Sequence, residues 1–379
     1  MIKPIHTAFV MEQTLGHVTH SRNLRAVVEQ QSAVTATWLP VPFDVNGVDR
    51  FVPLLRSNWS VRASWRARRA LTTALAAAPL DAAVFHTQVT SLFSVPIMQR
   101  VPSIVSLDAT PINYDSVGCH YGHRPAGDGL VDRQVYRLNR RAFQAAARLV
   151  TWSDWARDSL IDDYGVAPER IRVLAPGAAP AYFDLGARRL SRGQPDSHDT
   201  ERIRILFVGN DFERKGGPAL VECMRGPLGE RCELHLVTQA PVPPQANVYV
   251  HHGLGPNSPE LLRLYAEADV FVLPSLADCL AVVLMEATAA ALPVITTDVG
   301  ALGEAVEAGR SGLLIRPGDG RQLYEALSAL VGDDQRRQQM SRVGHTLARR
   351  KFDAEHNGRA LLALTVEVTA THRRAGRAA

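Results

Sequence analysis

Two carboxylates eight positions apart, Asp278 and Glu286, stand in the largely apolar stretch "FVLPSLADCLAVVLMEATAAALPVITTDVG", from Phe271 to Gly300. A buried carboxylate with no polar partner is unfavourable by roughly several kcal/mol, so each needs a ligand or a cation or hydroxyl of the protein itself. The spacing leaves both readings open: a pair that holds hydroxyl groups of a ligand, or a structural acid tied down at the end of a strand. A second stretch is "GNDFERKGG", Gly209 to Gly217, where glycines allow close backbone approach and Arg214 and Lys215 bring positive charge to a helix start. That combination suits a diphosphate. It is neither a Walker loop nor a G-x-G-x-x-G fingerprint, and an ordinary basic loop has the same composition. A third group lies near the N-terminus, where Gly16 and His17 follow a first apolar run, with His86 and Asp108 at the ends of later ones.

The elements that must place these residues are short apolar runs separated by helical patterns. Strands are expected at residues 5–11, 35–41, 83–87, 104–107, 149–153 and 171–174, and again at 203–208, 232–238, 247–253, 270–273 and 294–297. Runs without alternation, joined by helical segments, indicate parallel sheets covered on both faces. Ligands of such sheets bind beyond the C-terminal strand ends, where Gly16, His86, Asp108, Lys215 and Asp278 all fall. Thr19 or Ser21 is the expected cap of the first helix. The polar, aperiodic stretch 186–201, "GARRLSRGQPDSHDTE", reads as a linker between a domain at 1–185 and another at 202–351, with a helical tail at 352–379.

With 379 residues, 46% hydrophobic and 21% charged, the chain has the composition of a globular protein, and no apolar run is long enough to cross a bilayer. The opening "MIKPIHTAFVMEQ" reads as a strand rather than a signal peptide. Cys119, Cys223, Cys232 and Cys279 lack paired metal spacing, so free thiols in a reducing cytoplasm are expected. His120 and His123, beside Tyr114 and Tyr121, resemble a metal pair only superficially, and no metal site is expected. The net charge of +4 favours anionic partners without selecting one. Arg56, Arg62, Arg66, Arg68 and Arg69 with Trp59 and Trp65 form a segment, 56–69, that suits either the surface of an anionic membrane on its inner face or a plain solvated helix anchored by tryptophan. Nucleic acid is not expected, since no binding motif accompanies the patch.

Three successive segments, "FVGNDFERKGG", "ADVFVLPSLADCLAVVLMEATAAALPVITTDVG" and "GLLIRPGD", resemble in order and spacing the donor domain of the retaining glycosyltransferases of family 4. "EQTLGHVTHSRNLR" and "TWSDWARDSLIDDYG…IRVLAPGA" are more loosely similar to that family's acceptor domain. The resemblance implies an α/β GT-B fold, two Rossmann-like domains facing across a cleft; the helical tail reads either as a C-terminal helix crossing back to the first domain or as a plain terminal helix. It implies a nucleotide-sugar donor, a UDP- or GDP-sugar, held mainly by the second domain, a carbohydrate or lipid-linked acceptor as in polysaccharide biosynthesis, and no cofactor. Lys215 takes the place of the family's diphosphate-gripping lysine, and Asn210 stands where its arginine is usual, with Arg214 as a substitute. Asp278 takes the place of the carboxylate that meets the donor sugar and Glu286 that of the one on the ribose. Cys279 and Leu280 replace residues of a loop that presents backbone amides to the donor. Gly16 resembles the glycine near the donor phosphate, with His17 close by. Of a histidine–aspartate pair after the fourth strand only Asp108 carries over, with His86 or His120 as candidates for the missing imidazole.

The chemistry implied is transfer of a hexosyl unit to an acceptor hydroxyl with retention, the departing phosphate taking the acceptor proton. Lys215, Arg214, Asp278 and Asp108 are the expected catalytic residues, and Gly16, His17, Gly209, Asn210, Lys215, Cys279, Leu280 and Glu286 the expected donor-binding set. Alternatives on the same fold are a nucleotide-sugar-binding protein without turnover and a sugar-diphosphate hydrolase or epimerase.

Overall fold

The computed structural model describes residues 4–14, 16–45, 47–118, 125, 127, 129–192 and 202–378. It divides into two compact units, one of Met1–Tyr114, Ala126–Pro176 and Glu355–Ala379, the other of Asp115–Pro125 and Gly177–Ala354. The first contains β1 (Ile5–Gln13), α1 (His17–Glu29), β2 (Val34–Pro42), α2 (Pro53–Ser57), α3 (Trp59–Ala77), β3 (Ala82–His86), α4 (Val95–Met98), β4 (Ser103–Leu107), α5 (Pro111–Val117, whose end passes into the second unit), α6 (Leu130–Ala145), β5 (Arg148–Thr151), α7 (Asp154–Asp162) and β6 (Ile171–Val173). The second contains α8 (Pro180–Arg192), β7 (Ile203–Val208), α9 (Gly217–Cys223), α10 (Pro227–Arg231), β8 (Cys232–Val237), β9 (Val248–His251), α11 (Pro259–Glu267), β10 (Val270–Leu273), α12 (Val282–Ala289), β11 (Val294–Thr297), β12 (Gly312–Ile315), α13 (Gly320–Val331) and α14 (Asp334–Lys351). The last helix, α15 (Ala354–Ala378), lies almost wholly in the first unit.

Each unit is built on one six-stranded parallel sheet, in the order β2-β1-β3-β4-β5-β6 and β12-β11-β10-β7-β8-β9. In the first, period-two alternation divides the strand residues between two cores. Val10, Phe85, Val105 and Leu149 face α3, α6 and α7, whereas Phe9, Met11, Val84, Ile104 and Val150 face α1 and α15. Four α15 side chains, Leu361, Leu362, Leu364 and Val368, complete that second core. At about 1.5–3 kcal/mol for each buried large apolar side chain, this helix is integral to the unit.

Strand order fixes where ligands can approach. In each sheet the chain reverses its direction of winding at one place: between β1 and β3 in the first, and between β7 and β10 in the second. A crevice opens beyond the C-terminal strand ends at such a point.

Two expectations are corrected. The described part of the anticipated linker, from Gly186 to Arg192, is the second half of α8. That helix packs on α11, α12 and α14 of the second unit, so the first domain ends near Pro176 rather than at 185. Gly186 is needed there because a β-carbon would strike the Ala289 carbonyl and the His345 ring. Arg189 gives its guanidinium to the carbonyls of Tyr265 (2.9 Å), Ala266 (3.0 Å) and Ala290 (3.2 Å). Residues 193–201, together with Cys119, His120, Tyr121 and His123, lie outside the described residues. The second correction concerns α1, which starts at His17 with Gly16 as its cap, earlier than Thr19 or Ser21.

Candidate functional site

At the switch point of the second unit, two loops 63 residues apart in sequence meet. After β7 the chain makes the turn Gly209–Gly216, in which Gly216 has φ +77° and lies so close to the Pro274 carbonyl that no β-carbon fits. This pins the basic loop to the end of β10. The Lys215 side chain then crosses over Gly209, whose missing β-carbon leaves room for its Cδ. Its ammonium donates to Asp278 Oδ2 at 2.7 Å, and Arg214 Nη1 lies 3.5 Å from the same oxygen. Ser275 Oγ donates to it as well, at 3.4 Å. Burial pushes the Asp278 carboxyl upward, but Lys215 and then Arg214 outweigh that and hold it below the usual carboxylate range.

Arg214 is not an outward-facing substitute for the missing arginine. It is buried, with Nη1 donating to the Ala277 carbonyl at 2.6 Å and Nε to Asp211 Oδ2 at 2.7 Å. It therefore fastens the Asp278 loop to the basic loop, and Lys215, only partly buried, is the cation facing the crevice. Asn210 is exposed. Cys279 and Leu280 are buried packing residues, and the Asp278–Cys279 backbone is clasped by the turn after β11, where Ala301 N–H donates to the Cys279 carbonyl at 2.7 Å.

Glu286, in the second turn of α12, is 3% exposed, and its partner is the Tyr265 hydroxyl of α11, which donates to Oε2 at 3.0 Å. Tyr182 of α8 packs edge-on against Tyr265, with centroids 5.0 Å apart. Burial raises the Glu286 carboxyl from 4.5 to about 7, and the two tyrosines draw it only partly back. The polar partner that the sequence demanded is thus the Tyr265 phenol, with the Tyr182 ring packed against it. Neither was singled out, because nothing in a helix pattern shows that two tyrosines 83 positions apart converge.

The first unit's switch point gathers His17, His20, His86 and Trp152. His86, at the end of β3, is fully buried and stacks on Trp152 (5.1 Å, 12° between planes). Its Nε2 shares a hydrogen bond with His17 Nδ1 at 2.9 Å, and its Nδ1 lies 3.3 Å from Ser106 Oγ. His17 Nε2 is 3.8 Å from Asp108 Oδ2, after β4. Burial, reinforced by His20 and His17, holds the His86 imidazole neutral, and burial with His17 lowers His20 to about 3. Burial raises Asp108, His17 opposes the rise and Glu12 adds to it. Glu12 itself accepts from Thr14 at 2.7 Å and from Thr87. His86 therefore stands behind His17, so His17 and not His86 is the imidazole nearer solvent. No acidic residue occupies the first turn of α1, so the positive helix end beside Gly16 keeps its field.

The Arg/Trp segment is internal at its centre and exposed at both ends. Arg62, 3% exposed, donates to the carbonyls of Leu55 (2.6 Å), Phe43 (2.9 Å) and Arg56 (3.2 Å). Arg66 donates to the Asp44 carbonyl at 2.7 Å and pairs with Asp49, and Trp59 packs on the core. Arg56, Arg68 and Arg69 are exposed.

Residues 15–177 match a glycosyl transferase 4-like domain, and residues 202–333 match the glycosyl transferases group 1 family. A D-inositol 3-phosphate glycosyltransferase of Paenarthrobacter aurescens is 31% identical over 243 residues, 59% of this chain and 58% of that protein. One from Gordonia bronchialis is 28% identical over 257 residues, 62% and 56% of the two chains. The match thus spans a little more than half the length of these curated relatives. Among solved structures, sucrose-phosphate synthase of Thermosynechococcus elongatus superposes with a TM-score of 0.74 at 16% identity, covering 97% of this chain and all of that one. WaaG, a glycosyltransferase involved in lipopolysaccharide biosynthesis, gives 0.64 at 17%, with 95% and 99% covered. Anabaena HepE in complex with UDP and glucose gives 0.64 at 14%, with 94% and 98% covered. These likenesses establish a GT-B fold, which the two parallel sheets already describe. By both domain matches, over residues 15–177 and 202–333, the chain belongs to the group 1 glycosyl transferases of family 4.

Proposed function

We propose that the protein is a retaining glycosyltransferase that moves a hexosyl unit from a nucleotide diphosphate sugar to an acceptor hydroxyl. The observation that carries this reading is Lys215 stretched over Gly209 onto Asp278 at the β7/β10 switch point. As the C1–O bond to the diphosphate breaks, negative charge grows on phosphate oxygen, and Lys215 stabilises that charge more in the transition state than in the ground state. The acceptor oxygen forms its bond to C1 on the face the phosphate leaves, and its proton passes to the leaving phosphate oxygen. Charge compensation by Lys215 makes the step metal-independent, and activity retained in chelator tests this. Within the second unit, Asp278 holds a sugar hydroxyl and Glu286 the ribose hydroxyls. The three described cysteines are buried, and the Cys223 and Cys232 thiols are pushed by burial up to about 11, in keeping with a reducing cytoplasm.

The test is a panel of UDP-, GDP- and ADP-sugars with the pure protein, following nucleotide release and sugar mass transfer. The named neighbours add UDP-glucose to the donors and an inositol phosphate to the acceptors. Saturable transfer with an α-donor giving an α-product supports the assignment. Binding of a donor without transfer to any acceptor would instead favour the non-catalytic reading, and release to water alone a hydrolase.

A further inference from the structure

Among the described residues, the exposed large apolar side chains concentrate in the first unit. Phe51 is 85% exposed, Leu54 59% and Phe43 52%, all between β2 and α3, and Leu130, Val131 and Val135 open α6 at 80%, 75% and 46%. Both groups leave the same sheet edge. A helix crossing between parallel strands runs antiparallel to them, so its N-terminus and the loop before it lie at the C-terminal strand ends. α3 and α6 also share one face of the sheet, both packing on the turn Gln88–Thr90.

The apolar tip is held, not frayed. The buried Arg62 and the Arg66–Asp49 pair bind the carbonyls of Phe43, Asp44, Leu55 and Arg56 from beneath, leaving Phe51 and Leu54 outward. Exposed arginines flank both groups: Arg50 and Arg56 at the tip, beside the exposed Asp44, and four along α6, where Asp132 is the one acid of the helix. Two protruding apolar tips rimmed by guanidinium groups match a soft anionic surface, into which side chains insert and to which arginine is drawn, better than a flat protein face.

We propose that the first unit docks on an anionic lipid bilayer through Phe51 and Leu54 with the first turns of α6, with Arg50 and Arg56 at the headgroups. Of the segment 56–69 this keeps only Arg56, since the central Arg62 and Arg66 are held by the unit's own carbonyls and Asp49, and it stands independently of the transfer reaction.

The test is co-sedimentation of the full chain with vesicles of phosphatidylcholine alone or mixed with phosphatidylglycerol. The expected result is binding to the mixed vesicles only, weakened at high salt, and about tenfold weaker in Phe51→Ser/Leu54→Ser and again in Leu130→Ser/Val131→Ser. Tyr324→Ser, an exposed ring on the second unit, should bind as the parent does. Phe51→Trp should show a blue-shifted emission on binding. Absence of binding to mixed vesicles at low salt, or parent-like binding by both serine doubles, overturns the proposal. So does a concentration-dependent dimer of the free protein that Phe51→Ser/Leu54→Ser abolishes, which would give the surface to a second copy.

Discussion

In Glu286→Gln an amide of nearly the same shape takes the place of a carboxyl that is 3% exposed and bonded to Tyr265. The structure fixes the direction of the pH effect. The folded-state pKa is raised from 4.5 to about 7, so the fold favours the neutral acid. Its contribution is fully present below pH 4.5 and is lost as pH rises through about 7. At about 1.4 kcal/mol per pH unit, the whole effect is about 3 kcal/mol. The amide does not titrate. Measured by urea unfolding of parent and variant side by side, Glu286→Gln should therefore gain on the parent by about 3 kcal/mol between acid pH and pH 8. Terms common to both proteins cancel in the comparison. A parent–variant difference that stays constant across that range would refute the claim that burial neutralises this carboxyl. If Glu286 also accepts ribose hydroxyls as an anion, nucleotide affinity in the parent should weaken as pH falls through 7, while the glutamine variant binds weakly at every pH.

Lys215→Ala should lower kcat/KM for the donor about tenfold to a thousandfold, and parent-like kinetics in a folded variant would remove Lys215 from the reaction. Gly209→Ala should reproduce much of that loss, because the added methyl occupies the path of the lysine chain; full activity would show that the chain can reroute. Arg62→Met should destabilise the first unit by about 3 kcal/mol or more, since three carbonyls lose their donor, and an unchanged melting temperature would contradict the clamp. His20, lowered to about 3, makes the first unit acid-sensitive: its contribution is present above pH 6.5 and lost as pH falls below that value. His20→Gln should reduce the slope of stability against pH below 6.5, and an unaltered slope would exonerate this imidazole.

The strands were legible because parallel strands buried on both faces read as uninterrupted apolar runs, and the end of each run marks a loop at the ligand edge. That reasoning alone places Lys215, Asp278, Gly16 and Asp108 at strand ends. What charge composition does not reveal is the direction of a guanidinium. Arg62, Arg66, Arg189 and Arg214 all donate to backbone carbonyls: the centre of a basic segment is internal, the described start of an expected linker is helix anchored on the second unit, and an expected phosphate ligand fastens its own loop. Pairings across long sequence separations were equally invisible: His86 behind His17, and Tyr265 on Glu286.

The first unit draws four of its core side chains from α15, which is translated only after the whole of the second unit. On the ribosome, Pro176 emerges about 180 residues before Glu355. At about 5–20 residues per second, that interval lasts roughly 10–35 s. Throughout it, the face formed by Phe9, Met11, Val27 and Ile104 lacks its cover. The nascent N-terminal half is thus a natural client for a chaperone that holds apolar strands, and its maturation waits for α15 to emerge.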